Sequence, residues 1–259
     1  MSEAQSSARR EVLGRLYGVL VAALAMLYAL GGWACLKFIR SPYRSWRFAH
    51  RAIRTFMRGV GIGLVIEGNL EWPQYESVVI VANHSSFLDG IALVGSFPDL
   101  VCIVVASEFA PRPFVSSVLK RLGVEFVHRG DSQQVSRDTR RLLRRLRNGD
   151  RLLIFPEGSL DQCSGLRPLQ VGAFFLAAQT GAPVVPLGIV GSDTVLWPGK
   201  CLPSRGTIEV RVGEPVPPIG TRRRDLVWLS ERIRKQLLQL SGLADLGRAR
   251  SKDPGQGWS

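Results

Sequence analysis

Histidine, cysteine and acidic residues are all scarce in this chain, and each shortage removes a class of function. The three histidines (His50, His84 and His128) have no clustered cysteine or carboxylate partners, so no metal site is expected. The four cysteines (Cys35, Cys102, Cys163 and Cys201) lie far apart with no Cys-x-x-Cys. That spacing gives no disulfide framework and favours a reducing compartment. No Gly-x-Ser-x-Gly elbow occurs, which counts against a serine hydrolase of that build. No internal repeat is visible. Acidic residues number 21 against 34 lysines and arginines, a formal net charge of +13 over 259 residues. The surplus predicts an anionic partner, either nucleic acid or an acidic lipid surface. No recognised nucleic-acid motif accompanies it, so nucleic acid is not the expected partner.

What is present begins with an apolar stretch. Residues Met1 to Glu11 are polar and read as mobile. Leu16 to Leu36 then runs without a charge, about the length needed to cross a hydrocarbon core of roughly 30 Å. A cleaved signal peptide is the rival, but the run is long for a signal core and no small-x-small site comes after it. Next, Arg40, Arg44, Arg47, Arg51, Arg54 and Arg58 recur every three or four residues. On a helix they form one basic stripe. Phe48, Ile53, Phe56, Met57 and Val60 fall elsewhere on it, a composition that suits a helix lying against anionic headgroups. The arginine excess is heavier after the apolar run than before it, which places the globular part on the cytoplasmic side. Residues 1–62 therefore read as a membrane anchor with a basic interfacial helix; spanning and monotopic arrangements both remain open.

From Leu64 the pattern changes to α/β. Strand-length apolar runs at Gly63–Glu67, Ser77–Ala82, Leu100–Ala106, Val124–Val127, Arg151–Phe155, Val184–Val190 and Thr207–Val212 alternate with helical stretches. The fold class expected is α/β, a largely parallel central sheet flanked by helices, preceded by the membrane-associated helical segment. One of the helices, Gln133–Asn148, carries six arginines and reads as exposed. A tail helix, Arg222 to Leu240, has Leu226, Leu229, Ile233 and Leu237 on one face. The globular domain is set at 63–241, with 242–259 as a disordered tail.

Candidate chemistry gathers at strand ends, where open α/β sheets place their ligands. The run Ser77–Ala82 stops abruptly in Asn83-His84-Ser85-Ser86-Phe87-Leu88-Asp89. Five residues separate His84 from Asp89, a spacing that does not share a helix face. The two meet only if His84 sits in the turn before a helix whose first turns carry Asp89, with Ser85 or Ser86 as N-cap. A carboxylate beside an imidazole fixes its tautomer and makes it a base. Arg129, just after Val124–Val127, offers a planar fork suited to phosphate. The strand Arg151–Phe155 leads into Pro156-Glu157-Gly158-Ser159. There Gly158 lets the backbone approach a ligand, and Ser159 is placed to cap the next segment of chain.

In this order and spacing the pieces resemble the glycerolipid acyltransferase family, the 1-acylglycerol-3-phosphate acyltransferases and their relatives. Residues 83–89 match its His-x-x-x-x-Asp motif. Gly123 to Arg129 is similar to Gly-x-x-Phe-Ile-x-Arg, with Val127 in place of Ile. Phe155-Pro156-Glu157-Gly158-Ser159 resembles the third motif and Val184-Val185-Pro186-Leu187 the fourth. The likeness covers about Val60 to Val216. It implies a membrane-bound O-acyltransferase that moves an acyl chain from acyl-CoA or acyl-acyl carrier protein to the hydroxyl of lysophosphatidic acid, forming phosphatidic acid in phospholipid biosynthesis. His84 would be the general base and Asp89 its orienting partner. Arg129 would hold the acceptor phosphate, and Glu157, Gly158 and Ser159 would position the glycerol backbone. No cofactor is implied beyond the acyl donor, and anionic membrane lipids are expected partners. The implied location is a bacterial inner membrane, with the catalytic domain on its cytoplasmic face.

Two departures matter. Leu160 stands where the family commonly has arginine, and Leu169-Gln170-Val171-Gly172 replaces a stretch that often carries lysine before the glycine. Asp161 adds a negative charge, which Arg167 offsets in part. A lyso-ornithine lipid or a lysophospholipid is therefore the second candidate acceptor. A lipid hydrolase and a membrane-tethered binding protein are the rival classes.

Overall fold

The computed structural model describes residues 3–72, 74–158, 165–199 and 202–247, with side chains from Val12 onward. The expected capping residue of the third motif, Ser159, lies outside the described residues, as do its neighbours Leu160 and Asp161.

Two helices come first, α1 (Glu3–Phe38) and α2 (Pro42–Val60). Strands and helices then alternate: β1 (Ile62–Glu67), β2 (Val78–Ala82), α3 (Leu88–Ser96), β3 (Cys102–Ala106), α4 (Pro113–Arg121), β4 (Glu125–Val127), α5 (Ser132–Arg147) and β5 (Arg151–Ile154). They continue through α6 (Gly172–Thr180), β6 (Val184–Val190), α7 (Ser192–Val195), β7 (Gly206–Val212) and α8 (Arg223–Ser241). The strands form one sheet in the order β1-β7-β6-β2-β5-β3-β4. β6, β2, β5, β3 and β4 are parallel; β7 pairs antiparallel with β6 and parallel with β1. The largely parallel α/β architecture expected from the sequence is the one found.

The crossovers explain the layers. From β2 the chain steps outward to β3 and β4, then returns through β5 to β6 on the other side of β2. Right-handed connections put the outward and returning helices on opposite faces. Alternation along β2 agrees: Val78, Ile80 and Ala82 join the core beneath α2 and α3, whereas Val79 and Val81 join the one beneath α5, α6 and α8. Both faces of β2 are covered, which is why it is apolar at every position. Cys102 packs in the second core, where burial pushes its thiol up to about 12. Gly188 in β6 is required by packing, since a Cβ there would stand 2.5 Å from the Cβ of Leu240.

Three expectations need correction. The segment from Glu3 to Glu11, read as mobile, continues α1 as helix. Polar sequence did not break it, because the helix extends from a long apolar run. Arg40 precedes α2, and Arg54 turns inward to donate to the Gly95 carbonyl at 3.3 Å, so the outward stripe is Arg44, Arg47, Arg51 and Arg58. The tail is ordered through Gly247. Leu166 N donates to Ala244 O at 2.8 Å, Leu246 N donates to Leu166 O at 3.0 Å, and Arg234 pairs with Asp245. The remainder of the expected tail, 248–259, lies outside the described residues.

Helix α1 runs beside the globular part rather than away from it. Tyr17 Oη donates to Val60 O at 2.8 Å, Tyr28 packs on Phe56 and Trp33 on Phe114. Its stretch Val12–Phe38 is long and apolar enough to cross a membrane.

Candidate active site

The site forms at the carboxyl rim of β2, β4 and β5. At the end of β2 the backbone turns away and the Asn83 side chain continues the ladder in its place. Its Oδ1 accepts from Ile189 N at 2.7 Å and its Nδ2 donates to Ile189 O at 2.9 Å. That frees residues 84–87 to form a turn while β2 and β6 stay aligned. Ser86 fastens the turn further by donating its hydroxyl to Leu196 O at 2.7 Å.

The turn is wrapped around one carboxylate. Asp89, in the first turn of α3 and fully buried, accepts three hydrogen bonds on Oδ2: from Ser85 N at 2.7 Å, Ser86 N at 2.8 Å and His84 Nδ1 at 2.8 Å. The convergence that five-residue spacing demanded is thus present. Neither serine is the N-cap; Phe87 holds that position, and Ser86 Oγ accepts from Leu88 N at 3.2 Å. An ionised carboxylate only accepts, so Nδ1 carries a ring proton, and in the neutral tautomer Nε2 is the nitrogen with the lone pair. The imidazole lies stacked on Phe155, ring centroids 4.2 Å apart and 22° between planes. One ring face and one nitrogen are thereby fixed, and 20% of the side chain remains exposed.

Glu157 ties this turn to the β5 rim. Its Oε1 accepts from His84 N at 2.9 Å, and its Oε2 accepts from Arg167 N at 3.0 Å, with Arg167 Nε 3.6 Å away. Expected to position a ligand, Glu157 is buried and spends both oxygens on the chain. Arg167 is likewise turned toward Glu157. The amides of His84, Ser85 and Ser86 are committed to carboxylates, so a developing oxyanion must find its donors elsewhere on the rim.

Arg129 reaches across from the β4 end and donates to the Gly158 carbonyl. Gly158 adopts φ +82°, a conformation side chains disfavour. Arg129, Glu157 and Gly158 are therefore brought to the same rim as His84 and Asp89.

A brace that sequence reasoning passed over stands behind Arg129. Asp138 Oδ2 accepts from His128 N at 2.8 Å and meets His128 Nδ1 at 2.9 Å; its Oδ1 pairs with Arg141 at 2.9 Å. Burial alone would raise the Asp138 carboxyl, but the two bonds from His128 and the Arg141 charge outweigh it and hold the group below its ordinary value. Arg141 and Arg145 in turn grip Glu125 at 2.6 Å and 2.7 Å. Two of the six α5 arginines are thus internal struts. A lone acid at Asp138 amid arginines was the only sequence signal for this.

Residues 64–190 match the family model described as Acyltransferase. Over 189 residues the chain is 27% identical to the 1-acyl-sn-glycerol-3-phosphate acyltransferase of Saccharomyces cerevisiae, covering 72% of this chain and 61% of that one. Over 181 residues it is 28% identical to the human 1-acyl-sn-glycerol-3-phosphate acyltransferase alpha, covering 69% and 63%. The chain thus spans about six-tenths of the length of these curated relatives. The crystal structure of the 1-acyl-sn-glycerophosphate (LPA) acyltransferase PlsC from Thermotoga maritima superposes with a TM-score of 0.69, at 22% identity, over 89% of this chain and 97% of that one. That last likeness carries the fold.

Proposed function

From the match of residues 64–190 to the acyltransferase family, we propose that this chain acylates the free hydroxyl of lysophosphatidic acid, using an acyl thioester as donor and forming phosphatidic acid. The observation that carries the reading is the 2.8 Å contact between His84 Nδ1 and the fully buried Asp89 at the sheet rim. In the neutral ring it makes Nε2 the accepting nitrogen, on a ring whose orientation is fixed. As the acceptor oxygen attacks the thioester carbonyl, His84 Nε2 takes its proton and the buried Asp89 carboxylate stabilises the imidazolium. The new C–O bond makes a tetrahedral oxyanion. Its collapse breaks the C–S bond, and the departing thiolate takes the proton back from His84. No acyl-enzyme is needed, and acyl-CoA and acyl-acyl carrier protein serve the scheme equally.

Arg129 is proposed to receive the acceptor phosphate, for which its fork is suited. Gly158, held by Arg129 and by the turn after β5, is proposed to set the depth at which the glycerol backbone lies, with Glu157 keeping that turn in register. The enzyme is proposed to work at a membrane surface on its cytoplasmic side. The contacts of α1 with Val60, Phe56 and Phe114 favour a helix lying along the domain in one leaflet over one that leaves it to cross. The engagement of Arg167 with Glu157 favours, as a second reading, an acceptor with a less anionic headgroup. A panel of lyso-lipids offered with labelled acyl donor tests both. Wild type should acylate lysophosphatidic acid and the His84→Ala form should not. Equal turnover by the two forms would defeat the mechanism, and preference for lyso-ornithine lipid would move the acceptor.

A further inference from the structure

Helices α1 and α2 do not close on each other: a groove of about 890 Å³ runs between them. One wall is apolar, built from Leu24, Leu27 and Tyr28 of α1 with Phe48 and Ala52 of α2. The groove stays open at its α1 end because Gly31 and Gly32 line it there, and nothing lies within 4 Å of where either would carry a Cβ. The other wall carries Arg44, Arg47 and Arg51, spaced to fall on one helix face. None of the three is ion-paired among the described residues; the nearby Asp99 instead accepts from the Tyr43 hydroxyl at 3.3 Å. Helix α2 contains no acidic residue.

An apolar channel of ligand size next to three unneutralised guanidinium groups fits one chemical class. The channel takes a hydrocarbon chain, and the arginines take a phosphodiester, which their forks bind with charge-assisted bonds. Helix α5 supplies an internal contrast. Its Arg137, Arg140, Arg144 and Arg147 also lie on one face and, among the described residues, also carry no acid partner, yet the hollow among them, about 420 Å³, has only Leu143 there for an apolar wall. It also lies on the opposite face of the sheet, away from α1. Charge is common to both places, but room for a chain is not.

We propose that the α1–α2 groove seats one anionic phospholipid of the bilayer as a resident ligand, its phosphate on Arg44, Arg47 and Arg51 and one acyl chain along Leu24, Leu27 and Phe48. The proposal rests on the membrane-surface reading above but not on the catalytic one, since the groove is separate from His84. It differs from general attraction to acidic lipid in requiring one lipid per chain and a channel to hold it.

Native mass spectrometry of the full chain, released from nanodiscs containing phosphatidylglycerol and phosphatidylcholine, tests it. One phosphatidylglycerol per chain is expected to be retained, in preference to phosphatidylcholine. Replacing Arg44, Arg47 and Arg51 together with Gln should lower retention by roughly tenfold or more. Gly31→Leu with Gly32→Leu adds two side chains at positions whose Cβ atoms meet open space and should lower retention comparably, while adhesion to phosphatidylglycerol vesicles persists. Replacing Arg137, Arg140 and Arg144 with Gln should leave retention unchanged. A filled channel that still holds the lipid like wild type would overturn the proposal in favour of surface adhesion, as would retention of several lipids sensitive to both arginine sets. The His84→Ala form should retain the lipid while losing transfer, so failure of the catalytic reading and failure of this one are separable.

Discussion

Two histidine–aspartate pairs stand at the carboxyl rim of one sheet, one after β2 and one after β4. In each, ring Nδ1 meets a single carboxylate oxygen, at 2.8 Å for His84–Asp89 and 2.9 Å for His128–Asp138. Bond length does not separate them; the rest of each carboxylate does. Among the described residues Asp89 is bound by two backbone amides and His84 alone, and its Oδ1 has no partner there. Its charge is left for the imidazole. Asp138 shares its charge with the Arg141 guanidinium, which sits on its other oxygen. A carboxylate already neutralised by a cation does less for a neighbouring base. The rings differ as well: His84 is stacked on Phe155, whereas 45% of the His128 side chain is exposed. The same two residue types therefore make a base in one place and a brace in the other.

Removing each ring in turn tests this contrast most severely. His84→Ala should cut acyl transfer by ~10²–10⁴, the usual worth of a positioned base. His128→Ala should leave kcat within a few-fold and raise the KM for the phosphate-bearing acceptor, because it loosens the segment that carries Arg129. Steady-state rates against lyso-lipid concentration for both forms check the split. Similar losses of kcat in the two would mean that the pairs share the chemistry.

Removing each carboxylate charge is expected to have the next largest effect. Asp89→Asn should bring transfer down toward the His84→Ala level, since an amide cannot stabilise the imidazolium. Asp138→Asn should spare kcat and act on stability, at about 1–3 kcal/mol, because Arg141 is then left beside a neutral group. Thermal melts set beside single-turnover rates distinguish the two. An Asp138→Asn form that melts normally but has lost turnover would reverse the assignment.

Much of the fold could be read from the chain, because strand positions such as Val79, Ile80 and Val81 are buried on both faces and so spell themselves as unbroken apolar runs. The meeting of His84 and Asp89 was legible for a geometric reason: five residues fit only a turn that leads into a helix. Other features depend on which way a long side chain bends, and local sequence does not record that. Arg54 and Arg141 have the same spacing as their outward neighbours, yet one reaches Gly95 and the other Asp138. Glu157 sits in a motif that suggests a ligand contact, but whether its oxygens face a ligand or the chain depends on His84 N and Arg167 N, at sequence distances of 73 and 10 residues. The ordered residues 242–247 have no periodicity of their own; they are held by Leu166 and Arg234, and so were invisible until those elements were assembled.

The smallest expected effect separates the two carboxylates by acid alone. Asp138 has an ordinary value of 3.8 in the unfolded chain and a lower one in the fold, where bonds from His128 and the charge of Arg141 overcome the opposing effect of burial. Above 3.8 the carboxylate is ionised in both states and its contribution to stability is complete. As the pH falls below 3.8 the unfolded chain takes up the proton first, so that contribution fades until the folded group is protonated too. Asp138→Asn has no such proton to bind. The melting temperatures of wild type and variant should therefore stay a fixed distance apart from about pH 6 to 5 and draw together below about 4. Parallel curves down to about pH 3 would show that His128 and Arg141 do not hold the Asp138 charge in solution, and the brace behind Arg129 would then have to be sought in the Glu125 ion pairs instead.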